Sequence, residues 1–285
     1  MPDAPCSGCS SQSSCGQTTS TVSPEELKLA ATLARIKHKI VVMSGKGGVG
    51  KSTLAVNLAH ALALAGRTVG LLDVDVHGPS LPRLLSLTDA KPHIEPDRIE
   101  PIPWSRNLWV MSLGFMLPDP KQAVIWRGPV KTSLIQQFLR DVAWGDLDFL
   151  VVDCPPGTGD EPLATLQTLG NTARALIVST PQALAVDDVR RSVSFCRELG
   201  TPILGLVENM SGFVCGHCGQ VQNIFNPGGG QALAREMDIP FLGAIPLDPE
   251  LARSGDEGYA FMKILPTSPT ALAIGRVVAP FLALP

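Results

Sequence analysis

Apolar positions along the chain follow two periods, and their alternation predicts an α/β fold. Short unbroken apolar runs recur at residues 40–43, 69–72 and 149–152, and mostly apolar stretches at 107–115, 174–180, 202–212 and 241–247. Such runs, bounded by Gly, Pro or Asp, are the pattern of strands buried on both faces. Between them the spacing changes to three and four. Leu54, Leu58 and Leu62 share a helical face that stops at Gly66, and residues 130–142 and 183–200 read as helices. In the second of these Val186, Val189, Val193 and Cys196 fall on one face, which predicts Cys196 as a core residue. Ser23-Pro24-Glu25-Glu26 is a helix start, with Ser at the cap, Pro at the first position and Glu three residues after the cap; Leu29, Leu33 and Ile36 give it an apolar face. A last helix is expected over roughly 269–282. Strands alternating with helices predict a mostly parallel central sheet with helices on both faces. Residues 88–128, with many prolines and Trp104, Trp109 and Trp126, fit this least. Beyond a strand at 107–115 they read as loop or short helix, and Arg127 suits a phosphate, a partner chain or a surface ion pair equally.

The turn between the first strand and the helix that follows it carries chemistry. Gly45-Lys46-Gly47-Gly48-Val49-Gly50-Lys51-Ser52, followed by Thr53, fits G-x-x-x-x-G-K-[ST]. Its glycines let backbone N–H groups turn inward on a phosphate, and the helix N-terminus adds its positive end. Lys51 is placed to reach the terminal phosphates and the Ser52 hydroxyl to ligate magnesium. The expected fold is therefore a P-loop NTPase. Lys46 is a second cation where one suffices, so it either crowds its own site or points elsewhere. The pattern K-G-G-x-G-K-[ST] resembles the deviant loop of one P-loop ATPase class, and that resemblance implies a homodimer in which Lys46 reaches the partner's nucleotide.

Two further strands end in carboxylates. The run at 69–72 ends in Asp73, Asp75 and His77, and residues 148–153 place Asp153 after four apolar residues, the pattern of a magnesium-binding strand. Functional groups of open α/β sheets sit at the carboxyl ends of strands. Two carboxylates beside a phosphate site repel the anion unless they handle magnesium or the attacking water. Asp75 is expected to position that water and Asp73 to support magnesium from behind; His77 reads as structural. The Gly-rich 155–160 that follows Asp153 is suited to respond to a terminal phosphate, and Cys154 reads as a small core residue. The stretch 202–212 brings Glu208 and Asn209 to a carboxyl end, where the Asn209 amide suits an adenine edge.

Composition bounds the rest. The chain has 285 residues, 45% hydrophobic and 17% charged, with net charge -3, which suits one large soluble domain that needs no disulfides. Near-neutrality argues against a nucleic-acid surface. No apolar run reaches the roughly 18 residues of a membrane span; no secretory signal is expected, since the first lysine is Lys28 and no apolar core follows the start, and the absence of arginine before Arg35 speaks against an organellar transit peptide. The expectation is a cytoplasmic protein with no membrane or nucleic-acid partner. Residues 1–22 are expected to be a flexible Cys/Ser-rich tail, and 23–285 a P-loop ATPase domain with a C-x2-C insertion at about 210–226.

Five of the seven cysteines lie in two clusters, Cys6, Cys9 and Cys15 in the tail and Cys215-x2-Cys218 in the insertion. In a cytosolic chain such clusters mean metal or redox chemistry more often than disulfides. For the tail, binding and idleness weigh evenly. Cys215 and Cys218, between glycines, form a metal knuckle, but a closed zinc or iron–sulfur site takes four ligands. Two chains about a two-fold axis supply two thiolates each, the symmetry that Lys46 also implies. His217 as a third ligand is geometrically awkward, and a thioredoxin-like redox pair is the weaker alternative because the motif does not open a helix.

Taken together, "KGGVGKST", "LLDVDVHGPS", "RGP", "DFLVVDCPPGTGD", "ENMSGFVCGHCG" and "IPLDPEL", in this order, resemble the Mrp-type iron–sulfur cluster carrier ATPases, relatives of the MinD/ParA ATPases. The resemblance covers about residues 25–280. It implies ATP with Mg2+ as cofactor, and a homodimer that binds a bridging 4Fe-4S cluster through Cys215 and Cys218, hydrolyses ATP and exchanges clusters with assembly scaffolds and apo iron–sulfur recipients. Some relatives carry a four-cysteine N-terminal motif; only its last three have counterparts here, in Cys6, Cys9 and Cys15. The alternative is a MinD/ParA-like positioning ATPase with a structural zinc knuckle. The terminal stretch speaks against it: it carries only Arg276 as a charge and is expected to be interrupted by Pro280.

Overall fold

The structure is a computed structural model and describes residues 23–76, 78–117, 128–215, 217–218, 220–226 and 228–284. Among the described residues eleven strands run in chain order: β1 (Ile36–Ser44), β2 (Val69–Asp73), β3 (Ile94–Glu95), β4 (Arg98–Ile99), β5 (Ile102–Ser105), β6 (Leu108–Ser112), β7 (Leu147–Asp153), β8 (Ala173–Ser179), β9 (Ile203–Val214), β10 (Val221–Gln222) and β11 (Phe241–Leu247). Nine of them form one sheet, ordered β10-β9-β8-β1-β7-β2-β6-β5, with β11 added on β9; β3 and β4 pair separately. β10 and β5 run antiparallel to their neighbours and the rest of the sheet is parallel. The central runs Ile40–Met43 and Leu150–Val152 are fully buried, as helices on both faces of a parallel sheet require.

The helices are α1 (Pro24–Ala34), α2 (Lys51–Leu64), α3 (Leu81–Leu84), α4 (Gly128–Asp141), α5 (Asp160–Leu169), α6 (Ala183–Glu198), α7 (Gly229–Glu236), α8 (Pro249–Glu257), α9 (Phe261–Ile264) and α10 (Pro269–Leu282). The start signal of α1 is a capping box: Ser23 Oγ accepts from the Glu26 N–H at 3.2 Å, and Glu26 Oε2 accepts from the Ser23 N–H at 2.7 Å. On α2, Leu54, Leu58 and Leu62 are buried against the sheet, and Gly66 closes the turn at φ 85°. Val189, Val193 and Cys196 of α6 are buried, as their spacing predicts, with Val186 at the margin.

Four local expectations are corrected. The first strand starts at Ile36, not at residue 40: Ile36 is paired with Leu147 on β7 and belongs to the sheet instead of the face of α1. The strand predicted over 107–115 stops at Ser112, whose Oγ accepts from the Gly114 N–H at 3.0 Å and turns the chain into a 3₁₀ segment. The surrounding Pro-rich region holds the short strands β3, β4 and β5. Pro280 lies inside α10 without interrupting it; Phe281 beyond it is buried, and the proline sits in the last turn, where few backbone bonds depend on it.

Candidate functional site

β1, β2 and β7 lie side by side and deliver their carboxyl ends to one place. Asp73 on β2 stands directly opposite Asp153 on β7, and Asp153 opposite Val42 on β1. The loop after β1 wraps this point. Gly48 and Gly50 have φ 78° and 80°, and Gly50 caps α2 with no side-chain hydrogen bond. The first turn of α2 therefore presents backbone N–H groups that no side chain satisfies, the arrangement that receives phosphate. A pocket of about 330 Å³ opens over the loop, lined by Ser44, Lys46, Gly47, Gly48, Gly50, Lys51, Ser52, Thr53, Asp75, Ser80, Leu84 and Pro156.

Inside it, Lys51 Nζ donates to Asp153 Oδ1 and lies 3.3 Å from Ser52 Oγ. Both partners are buried: the Lys51 side chain is 7% exposed and that of Asp153 0%. Burial works against the Lys51 charge, but Asp153 and Asp73 outweigh it and hold its pKa above the usual lysine value. Asp73 is pushed up to about 7 by burial and by Asp153, against the N–H groups of Asp75 and Leu81 that it accepts from. Burial also raises Asp153, with Lys51 and Ser52 opposing. Asp153 Oδ2 is buried with no hydrogen-bond partner. A buried anionic oxygen left unpaired beside a second carboxylate fits a cation. Asp75 is half-buried on the pocket wall, its Oδ1 accepting from the Gly78 N–H at 3.0 Å.

The remaining expected site residues sit around this centre. Lys46 Nζ is 3.1 Å from Gln182 Oε1 at the start of α6 of the same chain. Val49 is buried and its carbonyl accepts from Asn209 Nδ2 at 2.9 Å, so the Asn209 amide holds the loop from behind. Cys154 is fully buried, its thiol pushed up to about 12 by burial, in keeping with a packing role. Gln182, Ser44 and Ser80 complete the surroundings of the loop; Gln182 and Ser44 were not legible as site residues, since neither belongs to a local motif, and Ser80 closes the stretch LLDVDVHGPS without a role of its own in the sequence reading. His77, Arg127, Cys6, Cys9 and Cys15 lie outside the described residues.

The cysteine pair is at the far end of β9. Cys215 is half-buried and Cys218 exposed. The Cys215 N–H donates to the Gln220 carbonyl at 3.0 Å, closing the turn. The Cys215 thiol is held below its usual pKa by the backbone N–H groups of Cys218 and His217 and by the Cys218 side chain, so the two sulfurs are adjacent. Among the described residues no group of three or more His, Cys, Asp or Glu is placed to hold a metal ion.

With this geometry in view, comparison with known proteins is decisive. The family model described as "ParA: NUBPL iron-transfer P-loop NTPase" matches residues 35–281. The chain belongs to this family. Within the iron-transfer P-loop NTPases it is 46% identical over 256 residues to the iron-sulfur cluster carrier protein of Methanocaldococcus jannaschii, covering 90% of this chain and 88% of the relative. It is 49% identical over 255 residues to the cytosolic Fe-S cluster assembly factor NUBP2 of Bos taurus, covering 88% and 94%. Among solved structures, the nucleotide-binding protein of Archaeoglobus fulgidus in complex with ADP matches with TM-score 0.75 and 38% identity, over 88% of this chain and 96% of that one. The MinD cell division ATPase of Pyrococcus furiosus matches with TM-score 0.63 and 23% identity over 87% and 100%. That likeness bears on the fold alone: a P-loop NTPase sheet, mostly parallel and flanked by helices, as the sequence predicts.

Proposed function

We propose that this protein is an ATP-binding and ATP-hydrolysing iron–sulfur cluster carrier. Two copies hold one bridging 4Fe-4S cluster through Cys215 and Cys218 of each, and pass it from assembly scaffolds to apo-proteins. The observation that carries the reading is the isolated sulfur pair: two adjacent thiols, one with a lowered pKa, with no third ligand grouped beside them among the described residues. Two thiolates cannot close a cluster site, and a two-fold axis completes the set without any further residue.

The nucleotide site supplies the drive. Lys51 leaves Asp153 for the terminal phosphates, and the loop amides of Gly45 to Thr53 cradle them. Ser52 and Asp153 would hold magnesium, which the orphaned Asp153 Oδ2 supports; bound there, magnesium neutralises phosphate charge. Asp75 orients the attacking water from the pocket wall. Lys46 exchanges Gln182 for the nucleotide of the partner subunit and stabilises charge that develops in the transition state. Asn209, with one amide hydrogen on Val49, turns the rest of its amide to the base edge. The bovine relative's name supports a cytosolic setting, and among the described residues no helix is long and apolar enough to cross a membrane.

Anaerobic reconstitution tests the reading. Iron and sulfide at cluster stoichiometry per dimer in the wild type, and their absence from Cys215→Ala, support it. Zinc without sulfide favours a positioning ATPase with a structural knuckle. Transfer to an apo-ferredoxin by Lys51→Ala at the wild-type rate would reject coupling of hydrolysis to delivery while leaving carriage intact.

A further inference from the structure

β9 runs from the phosphate loop to the cysteine pair, and two of its consecutive residues, Glu208 and Asn209, make contacts on opposite faces. Asn209 faces the phosphate loop, where Nδ2 donates to the Val49 carbonyl at 2.9 Å. The approach is close enough that a Cβ on Gly50 would lie 2.2 Å from Asn209 Nδ2. Glu208 faces the other way and is 1% exposed. Its Oε1 accepts from Ser211 Oγ at 2.6 Å and its Oε2 from the Gly230 N–H, also at 2.6 Å. Ser211 lies on β9 before the segment that carries Cys215 and Cys218, and Gly230 in the first turn of α7 after it, so both oxygens of one buried carboxylate tie the two flanks of that segment together. Strand geometry makes the opposition obligatory, since neighbouring side chains of a strand point to opposite faces.

Immediately after this pair the strand is distorted. Asn209 is opposite Ile245 and Phe213 opposite Leu247, so β9 takes four steps where β11 takes two. Met210 there has φ 58° and Gly212 φ 79°. A non-glycine residue in the left-handed region persists only where its surroundings hold it. The methyl end of Met210 comes within 3.7 Å of where a Cβ on Gly50 would lie. The irregularity thus lies between the residue that grips the nucleotide loop and the cysteine pair.

We infer that Glu208 and Asn209 couple the two centres: rearrangement of the phosphate loop on nucleotide binding moves Asn209, and Glu208 passes the shift to the flanks of the cysteine segment. The inference deepens the proposed function and rests on it, since it needs nucleotide at the loop and chemistry at the sulfurs. Both residues act as positioning residues, through Val49 and through Gly230.

The full-length apo-protein is treated anaerobically with a maleimide, with and without magnesium and a slowly hydrolysed ATP analogue. The rates at Cys215 and Cys218 are read by mass spectrometry and nucleotide occupancy by equilibrium dialysis. In the wild type, full occupancy changes the rate at Cys215 by more than about twofold. In Glu208→Gln and Asn209→Ala, compared at full occupancy, the ratio falls to about one. A wild-type ratio of one at full occupancy overturns the link and leaves the nucleotide and cluster readings standing. So does a change that survives in both variants, as it would if pairing of two copies alone caused it. A wild type that takes no nucleotide removes the proposed function and this inference together. If a variant does not melt cooperatively, hydrogen exchange over residues 211–230 of the wild type decides: altered protection on nucleotide addition supports the link, and unchanged protection overturns it.

Discussion

Lys51 and Asp153, 102 residues apart in the chain, form a buried ion pair at the carboxyl end of the sheet. The pair holds the lysine in place while no phosphate is there to receive it, and it occupies one oxygen of the carboxylate expected to reach magnesium. Removing the cation strands an uncompensated buried charge, which costs about 3–5 kcal/mol. Lys51→Ala is therefore expected to lower the stability of the nucleotide-free protein by that order as well as to abolish nucleotide binding. Lys51→Met combined with Asp153→Asn, which leaves no buried charge of the pair, restores most of the stability and none of the binding. Urea melts without nucleotide check the first effect and equilibrium dialysis the second.

The cysteines separate by environment. Burial raises Cys154 to about 12 and Cys196 to about 11, whereas the backbone N–H of Cys218, with further hydrogen bonds, lowers Cys215. The thiolate is the reactive form. Brief iodoacetamide treatment of the native, metal-free protein at neutral pH is expected to modify Cys215 first among these and to spare Cys154 and Cys196 until denaturant is added. Peptide mapping decides it. Modification of Cys154 at the rate of Cys215 would contradict the buried placement.

Acid should weaken the fold through Asp148. Its carboxylate accepts from Lys37 Nζ at 2.7 Å and from the Thr68 N–H at 2.9 Å, and the Lys37 hydrogen bond, outweighing burial, leads the effects that lower it to about 2. A carboxyl whose folded pKa lies below its unfolded value contributes stability above the unfolded value and loses it as pH falls through the folded one. The expected contribution is about 1–2 kcal/mol, present above roughly pH 4 and lost towards pH 2. Asp148→Asn should lower stability by that amount at pH 7 and flatten the acid limb of a plot of unfolding midpoint against pH.

What the sequence discloses here is what is local. The loop from Gly45 to Ser52, the carboxylate after residues 149–152 and the Ser23 capping box each lie within one short window; Lys51 of the loop meets Asp153, and the capping box forms at the start of α1. The contacts that complete the site are not local. Lys46 meets Gln182 across 136 residues and Glu208 meets Gly230 across 22, and neither Gln182 nor Gly230 belongs to a pattern that marks it. Asn209 is legible as a polar residue at a strand end, but its Val49 contact depends on a fold that sets β9 behind the loop. The strands β3, β4 and β10 have two residues each, too few to express a period. α7 opens on Gly229 and Gly230, which are poor helix formers, and it forms where Glu208 accepts the Gly230 N–H.

Glycines with similar backbone angles should differ in their response to a side chain. Gly66 has φ 85° with nothing within 4 Å of an added Cβ, so Gly66→Ala pays only the left-handed conformation, about 1–2 kcal/mol. Gly50 has φ 80°, but its Cβ would meet Asn209 Nδ2 at 2.2 Å. Gly50→Ala must displace the amide from Val49 and is expected to cost more than Gly66→Ala by about 1 kcal/mol or more. It should also abolish nucleotide binding, which Gly66→Ala leaves intact. Paired urea melts and dialysis measure both; equal costs would mean that Asn209 does not hold the loop.

The last expectation concerns Lys46. Its ammonium rests on Gln182 Oε1 in one chain, a neutral partner that holds a cation weakly beside what a triphosphate offers. If it crosses to the partner subunit, its loss should leave the first nucleotide contact to Lys51 and the loop amides and remove charge stabilisation from the hydrolytic step. Lys46→Ala is then expected to bind nucleotide within a few-fold of the wild type while kcat for ATP falls by about 10² or more. Gln182→Ala frees the lysine without removing it and should not lower kcat. A further mixture separates cis from trans action: Lys46→Ala combined with a Lys51→Ala chain. In trans, the first retains a competent nucleotide site and the second supplies the missing lysine, so hydrolysis recovers on mixing. A mixture as inactive as its components would place the action of Lys46 within its own chain and remove the nucleotide half of the case for a dimer.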